Sequence, residues 1–287
     1  MTDDRWIPPS APAYGPPAPE PEQPQRTRRG GDGLLGRLLA PLIALVAFAG
    51  KLKGLLLLLP KAKFLVTSGS MLVSIGAYAL IWGWQFGVGF VLLLLVHEYG
   101  HVIQLKREGV KDVSAPVFIP FLGAAIWSKT LGKDAAAEAR VGLAGPIVGS
   151  IGALACVGLH AATGNNLFLA LAFTGFFLNL FNLLPVGFLD GARAAAALSP
   201  WVWLLGVFGI IILVLTIPNP IIILIAVLGI YETWVRFRQF RKGGDEVRKY
   251  YSISRRDRIL IGITYLSLII ALVVAMDLTH LQRSIPN

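Results

Sequence analysis

The sequence predicts an all-α polytopic membrane protein of about six to seven transmembrane helices, with a small β-hairpin or re-entrant region near residues 112–132. Three observations carry that expectation. The 287-residue chain is 55% hydrophobic and only 15% charged, with a mean hydropathy of +0.67. Several apolar runs reach the roughly 20 residues that a helix needs to cross a bilayer. Lysine and arginine gather between those runs instead of inside them. A single cysteine, Cys156, excludes an internal disulfide and any cysteine-based zinc site; in its apolar run it reads as packing.

Taken in order, residues 1–30 form a proline-rich tail. It has eight prolines between Pro8 and Pro24 and ends in Arg26, Arg28 and Arg29. Such a segment cannot bury enough apolar surface to fold, so a disordered cytoplasmic extension is expected. Residues 31–63 are apolar, but Pro41, Lys51 and Lys53 interrupt them and both flanks are basic. That pattern suits an interfacial or re-entrant segment. Residues 64–198 read as a transmembrane core. Within it, a span at 65–84 ends in Trp82 and Trp84, aromatic residues of the kind that sit at a membrane interface. A turn at Gln85-Phe86-Gly87 is expected to lead into a second span, 88–105.

Residues 112–132 break the helical pattern. β-formers alternate with Pro116, Pro120 and Gly123, which suits a short hairpin or a plain loop equally. A third span, 136–162, carries Gly142, Gly145, Gly149 and Gly152, small residues that let a neighbouring helix approach closely. A fourth, 167–184, ends in Asn179-Leu-Phe-Asn182-Leu-Leu-Pro185. Residues 199–276 supply the C-terminal helices: a hairpin turning at Pro218-Asn219-Pro220, a basic loop at 236–258 and a last span at 259–276. A short tail, 277–287, follows.

On this map the turns at 85–87, 163–166 and 218–220 carry no lysine or arginine, and of the 26 only Arg283 lies on their side. That is the asymmetry of cytoplasmic and external loops. It accounts for the net charge of +10 without a nucleic-acid partner. It also puts the second and fourth spans' charged ends on the cytoplasmic side. The expected setting is a plasma membrane of bacterial type, with the lipid bilayer as the surrounding partner.

The second span holds His97-Glu98-Tyr-Gly-His101. On a helix His97 and His101 are one turn apart on one face, the spacing at which two imidazoles grip one zinc ion with Glu98 beside them. Two histidines and a carboxylate in hydrocarbon all need partners, so the cluster reads as functional. A catalytic zinc usually has three protein ligands and an open position. His160 and His280 fall at the other membrane face. The remaining candidates are Asp190, Glu138 and Glu232, of which Asp190 is best placed. It follows a helix broken by Pro185, in a frame of Gly187 and Gly191 that allows a close turn. Its competing role is the cap of the helix beginning near Ala192.

His97-Glu98-Tyr-Gly100-His101, then Ala144-Gly145-Pro146, then Asn182-x-x-Pro185-x-x-x-Leu189-Asp190-Gly191 resemble the site-2 protease family of intramembrane zinc metalloproteases. The resemblance covers about residues 66–195. It implies one Zn2+ per chain held by His97, His101 and Asp190, with Glu98 as the catalytic base acting on a zinc-activated water, and Asn182 near the substrate. The implied reaction is hydrolysis of a peptide bond in or near the transmembrane segment of a membrane-anchored protein. The chain departs from the pattern at Gly187, where many members carry a second proline, which is expected to loosen the turn. It also lacks a PDZ-like insertion and a nucleotide-sensing module, as a compact member would. Three rivals stand beside this reading: a catalytically inactive membrane adaptor of the same fold, a proton-relay transporter, and a zincin with a cytosolic catalytic domain. Neither the substrate nor the oligomeric state is legible in the sequence.

Overall fold

The computed structural model describes residues 60–126 and 133–280, which are predominantly helical. The expectations for residues 1–59, for the rest of the 127–132 segment and for the tail beyond 280 lie outside the described residues. Nine helices are described: α1 (Pro60–Trp82), α2 (Trp84–Arg107), α3 (Ala135–Thr163), α4 (Asn166–Asn182), α5 (Asp190–Leu198), α6 (Val202–Thr216), α7 (Pro220–Lys242), α8 (Asp245–Tyr251) and α9 (Arg255–Thr279). Five of them, α1, α2, α3, α7 and α9, are long and apolar enough to cross a membrane. Two apolar helices, α4 and α6, are shorter, at 17 and 15 residues.

The break between α1 and α2 falls at Gly83, not at residues 85–87. Its φ of 86° is a left-handed conformation that only glycine adopts without strain, so the chain turns there and Gln85 to Gly87 are already helical. The hairpin alternative for residues 112–132 holds. β1 (Val117–Ile119) pairs antiparallel with β2 (Gly123–Ala125), with Phe118 opposite Ala124. Helix α1 covers the outer edge of β1 with hydroxyls. Thr67 Oγ1 donates to the Pro116 carbonyl at 2.7 Å, Phe118 N–H to Ser70 Oγ at 3.1 Å, and Phe121 N–H to Tyr78 Oη at 3.0 Å. Backbone groups that a lone hairpin would leave orphaned in a low-dielectric setting are thereby satisfied.

Helix α3 is the element on which α2, α4, α5 and α9 pack. Its glycines do what small residues predict. A Cβ on Gly145 would collide with the His101 imidazole, one on Gly149 with the Asn179 carboxamide, and one on Gly142 would stand 2.7 Å from the Asp190 carbonyl oxygen. The stripe therefore seats α2, α4 and α5 at backbone distance. From α2 the approach is reciprocal, since a side chain at Gly100 would strike the Ala144 carbonyl. Gly164, with φ 68°, caps α3 in the left-handed conformation, and Asn165 accepts from Leu167 N–H to start α4. The chain returns along α3 and ends α4 beside the α2 motif.

Candidate metal centre

The segment 183–189 turns the chain from α4 into α5 and sets the position of Asp190. Three later helices hold it. Tyr265 of α9 donates to the Leu183 carbonyl at 2.5 Å, Thr233 of α7 accepts the Gly187 N–H at 2.7 Å, and Trp203 of α6 donates to the Ala192 carbonyl at 2.8 Å. Gly187 has φ 59°, and a Cβ there would run into the Gly229 backbone. Glycine in place of proline therefore does not loosen this turn. The observed φ and the donated N–H are both unavailable to proline, so the turn is fixed in a form that requires glycine. Gly191 is equally constrained, by the Leu183 carbonyl.

Asp190 meets the motif across this frame. Its Oδ2 lies 3.1 Å from His97 Nε2 and 3.2 Å from His101 Nε2, and the two Nε2 atoms lie 3.1 Å apart. The other nitrogen of each ring decides what this triangle is. Asn179 Nδ2 donates to the Gly175 carbonyl at 2.8 Å, which turns its Oδ1 to the His97 ring, and His97 Nδ1–H donates to that oxygen at 2.7 Å. His101 Nδ1–H donates to the Val141 carbonyl at 2.8 Å. With both Nδ1 atoms protonated, the neutral rings present bare lone pairs at Nε2. Three lone pairs, one on a carboxylate, converge on one point. One proton on one nitrogen could serve only one edge of the triangle. A cation at the centre serves all three, and ligands at about 2.0 Å in a tetrahedral shell stand about 3.3 Å apart. The donor set therefore fits a divalent cation.

Glu98 occupies a different position. One of its carboxylate oxygens lies within 4.8 Å of both histidines, so the buried group His97, Glu98 and His101 can hold a metal ion as a set. Asp190 nevertheless has the closer claim as third ligand, because only its oxygen is in bonding range of both nitrogens. Glu98 is 6% exposed and makes no hydrogen bond or ion pair among the described residues, which leaves its oxygens open.

The other sequence candidates lie elsewhere. Glu138 accepts from Tyr250 Oη and stands 3.9 Å from Arg236 Nη1, while Glu232 accepts from Arg236 Nε at 3.1 Å. These two carboxylates belong to a network joining α3, α7 and α8, not to the histidine site. The same network gives Tyr250 a structural role: burial and the adjacent Glu138 push its phenol pKa up. His160 pairs with the Asn165 carbonyl at the far end of α3, and His280 stacks edge-on against Phe173. Asn182 is half-buried at the last turn of α4 and makes no hydrogen bond to either histidine. The asparagine that does is Asn179, one turn earlier, which sequence reasoning passed over. Its burial, at 1%, comes from the packing of α4 on Gly149 of α3, which no local sequence feature announces.

No protein-family model matches the chain, and none of the curated proteins matches it.

Proposed function

We propose that the protein is an intramembrane zinc metalloprotease of the site-2 type, cleaving a peptide bond in or near the membrane segment of an anchored protein. The observation that carries this reading is the triangle of unprotonated His97 Nε2, His101 Nε2 and Asp190 Oδ2, with both outer nitrogens locked as donors. Two imidazoles and one carboxylate in that spacing suit zinc above the hard cations that prefer all-oxygen shells. Zinc so held would supply Lewis acidity and lower the pKa of water at its open position.

The chain's own groups do the rest. Glu98, buried, without a hydrogen bond or ion pair among the described residues and next to His97, is placed to take a proton and pass it to the leaving nitrogen. Asn182, half-buried one turn beyond Asn179, presents a carboxamide for substrate backbone. The β1–β2 hairpin offers an extended backbone edge to a substrate whose helix has unwound, the β2 edge being the one α1 leaves uncovered. Counting α4 and α6 as crossings gives seven spans. The lysine- and arginine-bearing helix ends then share the cytoplasmic side with the site.

Glu98→Gln tests the role of the base. It should abolish cleavage of a labelled transmembrane peptide in detergent or nanodiscs while leaving the zinc content of the wild type. A transporter using the histidines as a proton relay would instead show no peptide cleavage in the wild type.

A further inference from the structure

Helix α5 reads Asp-Gly-Ala-Arg-Ala-Ala-Ala-Ala-Leu, so Arg193 is the one cation in a buried run of alanines. It sits one turn after Asp190 on the same face. Its stem lies across Gly142 of α3, where a Cβ would be 3.0 Å from Arg193 Cβ and 3.5 Å from Cδ. Arg193 Nε is fully buried with no acceptor in reach among the described residues. It forms no ion pair with Glu98 or with Asp190 among those residues.

Leaving a guanidinium donor buried and unpaired is costly, because the lost hydration is not replaced. Most structural arginines avoid that cost by closing on a carboxylate, as Arg140 does on Glu108 at 2.7 and 3.0 Å. Arg193 has the Asp190 carboxylate one turn away and does not close on it among the described residues. A donor held back in this way is arranged for a group that arrives from outside. Hydrolysis of a peptide bond develops one negative charge on the carbonyl oxygen, and a pre-placed donor facing that oxygen lowers the barrier.

We propose that Arg193 is the anion-binding residue of this site, donating to the substrate carbonyl oxygen as negative charge develops there. The inference rests on the hydrolase reading given above. The alternative role is structural, with the stem packing on Gly142 and the head reaching the membrane surface.

The test uses the full-length, zinc-loaded protein in detergent with Arg193→Gln and Arg193→Lys beside the wild type. The probes are a phosphinic-acid peptide, which presents a tetrahedral anion, and its uncharged amide counterpart. Arg193→Gln should lose about a hundredfold in phosphinate affinity, keep its affinity for the amide and keep its zinc. Arg193→Lys should recover part of the loss. Against peptide substrate, the Gln variant should lose kcat with KM little changed. Unaltered phosphinate affinity in the Gln variant overturns the role of Arg193, and so does an equal loss for both probes with a lowered melting temperature. A zinc-loaded wild type that binds neither probe removes the hydrolase reading and this inference with it, while leaving the metal site standing.

Discussion

Each metal-facing histidine depends on one partner behind it. Asn179 fixes the His97 tautomer, and the Val141 carbonyl fixes that of His101. Outer partners of this kind orient the ring and raise its basicity. Asn179→Leu fills the same volume without an acceptor. It should weaken zinc binding by about 10- to 100-fold with little change in helical content, measurable by competition with a chromophoric chelator. The motif on α2 was legible because His-Glu-x-x-His imposes one helical face by spacing alone. Asn179 was not legible. Nothing local separates it from Asn182, and only the approach of α4 to Gly149 turns the one inward to His97 and leaves the other at the helix end.

The segment 183–189 and the first turn of α5 are short, yet three later helices hold them, through Tyr265 and Thr233 on the segment and Trp203 on Ala192. Asp190 thus owes its place to the C-terminal helices as much as to its own turn. Gly187→Pro is the sharpest probe of that arrangement. Proline cannot adopt φ 59° or donate to Thr233, so the variant should lose about 3 kcal/mol of stability or more and release zinc on mild heating. Thermal unfolding followed with zinc release reads both effects. A variant with wild-type stability would show that the turn accommodates proline, as the family pattern implies. The sequence marked this turn as close through Gly187 and Gly191, but not its tightness, because Gly229 and Thr233 lie some forty residues away. The spans themselves were visible as apolar runs, but two boundaries were not: at the α1–α2 break Gly83 outweighed the polar Gln85, and the expected basic loop at 236–258 is mostly helix, because α7 runs on to Lys242, α8 follows and α9 starts at Arg255.

Across the whole molecule, the lysine- and arginine-bearing ends of α2 and α3 open onto the hairpin segment 108–134, and those of α7 and α9 onto α8. The connections at Gly83, Gly164-Asn165 and Pro218-Asn219 carry no basic residue. At the charged end Arg140 forms a paired contact with Glu108, and Asp257 stands 3.9 Å from its other nitrogen, so one arginine links α2, α3 and α9. The hydrogen bonds from Arg140 hold the Glu108 carboxyl below the usual carboxylate range. A carboxylate with a lowered folded pKa stabilises above its unfolded value, about 4.3, and the contribution fades as pH falls through the folded value. Glu108→Gln should therefore melt lower than the wild type at pH 7, by about 1 kcal/mol, with the gap closing below about pH 4. A gap independent of pH would mean that packing, not charge, carries the contact. That ion pair was invisible in sequence, where its partners are separated by the hairpin. The charge asymmetry that places it was plain.

The most direct test of the account is zinc content per chain in the purified wild type beside Asp190→Ala, by elemental analysis against protein concentration. The site predicts close to one zinc per wild-type chain, and a clear loss when the third donor is removed while Asn179 and Val141 still orient both rings. A well-folded wild type without zinc, or an Asp190→Ala variant that keeps it, would contradict the three-donor centre on which the proposed chemistry stands.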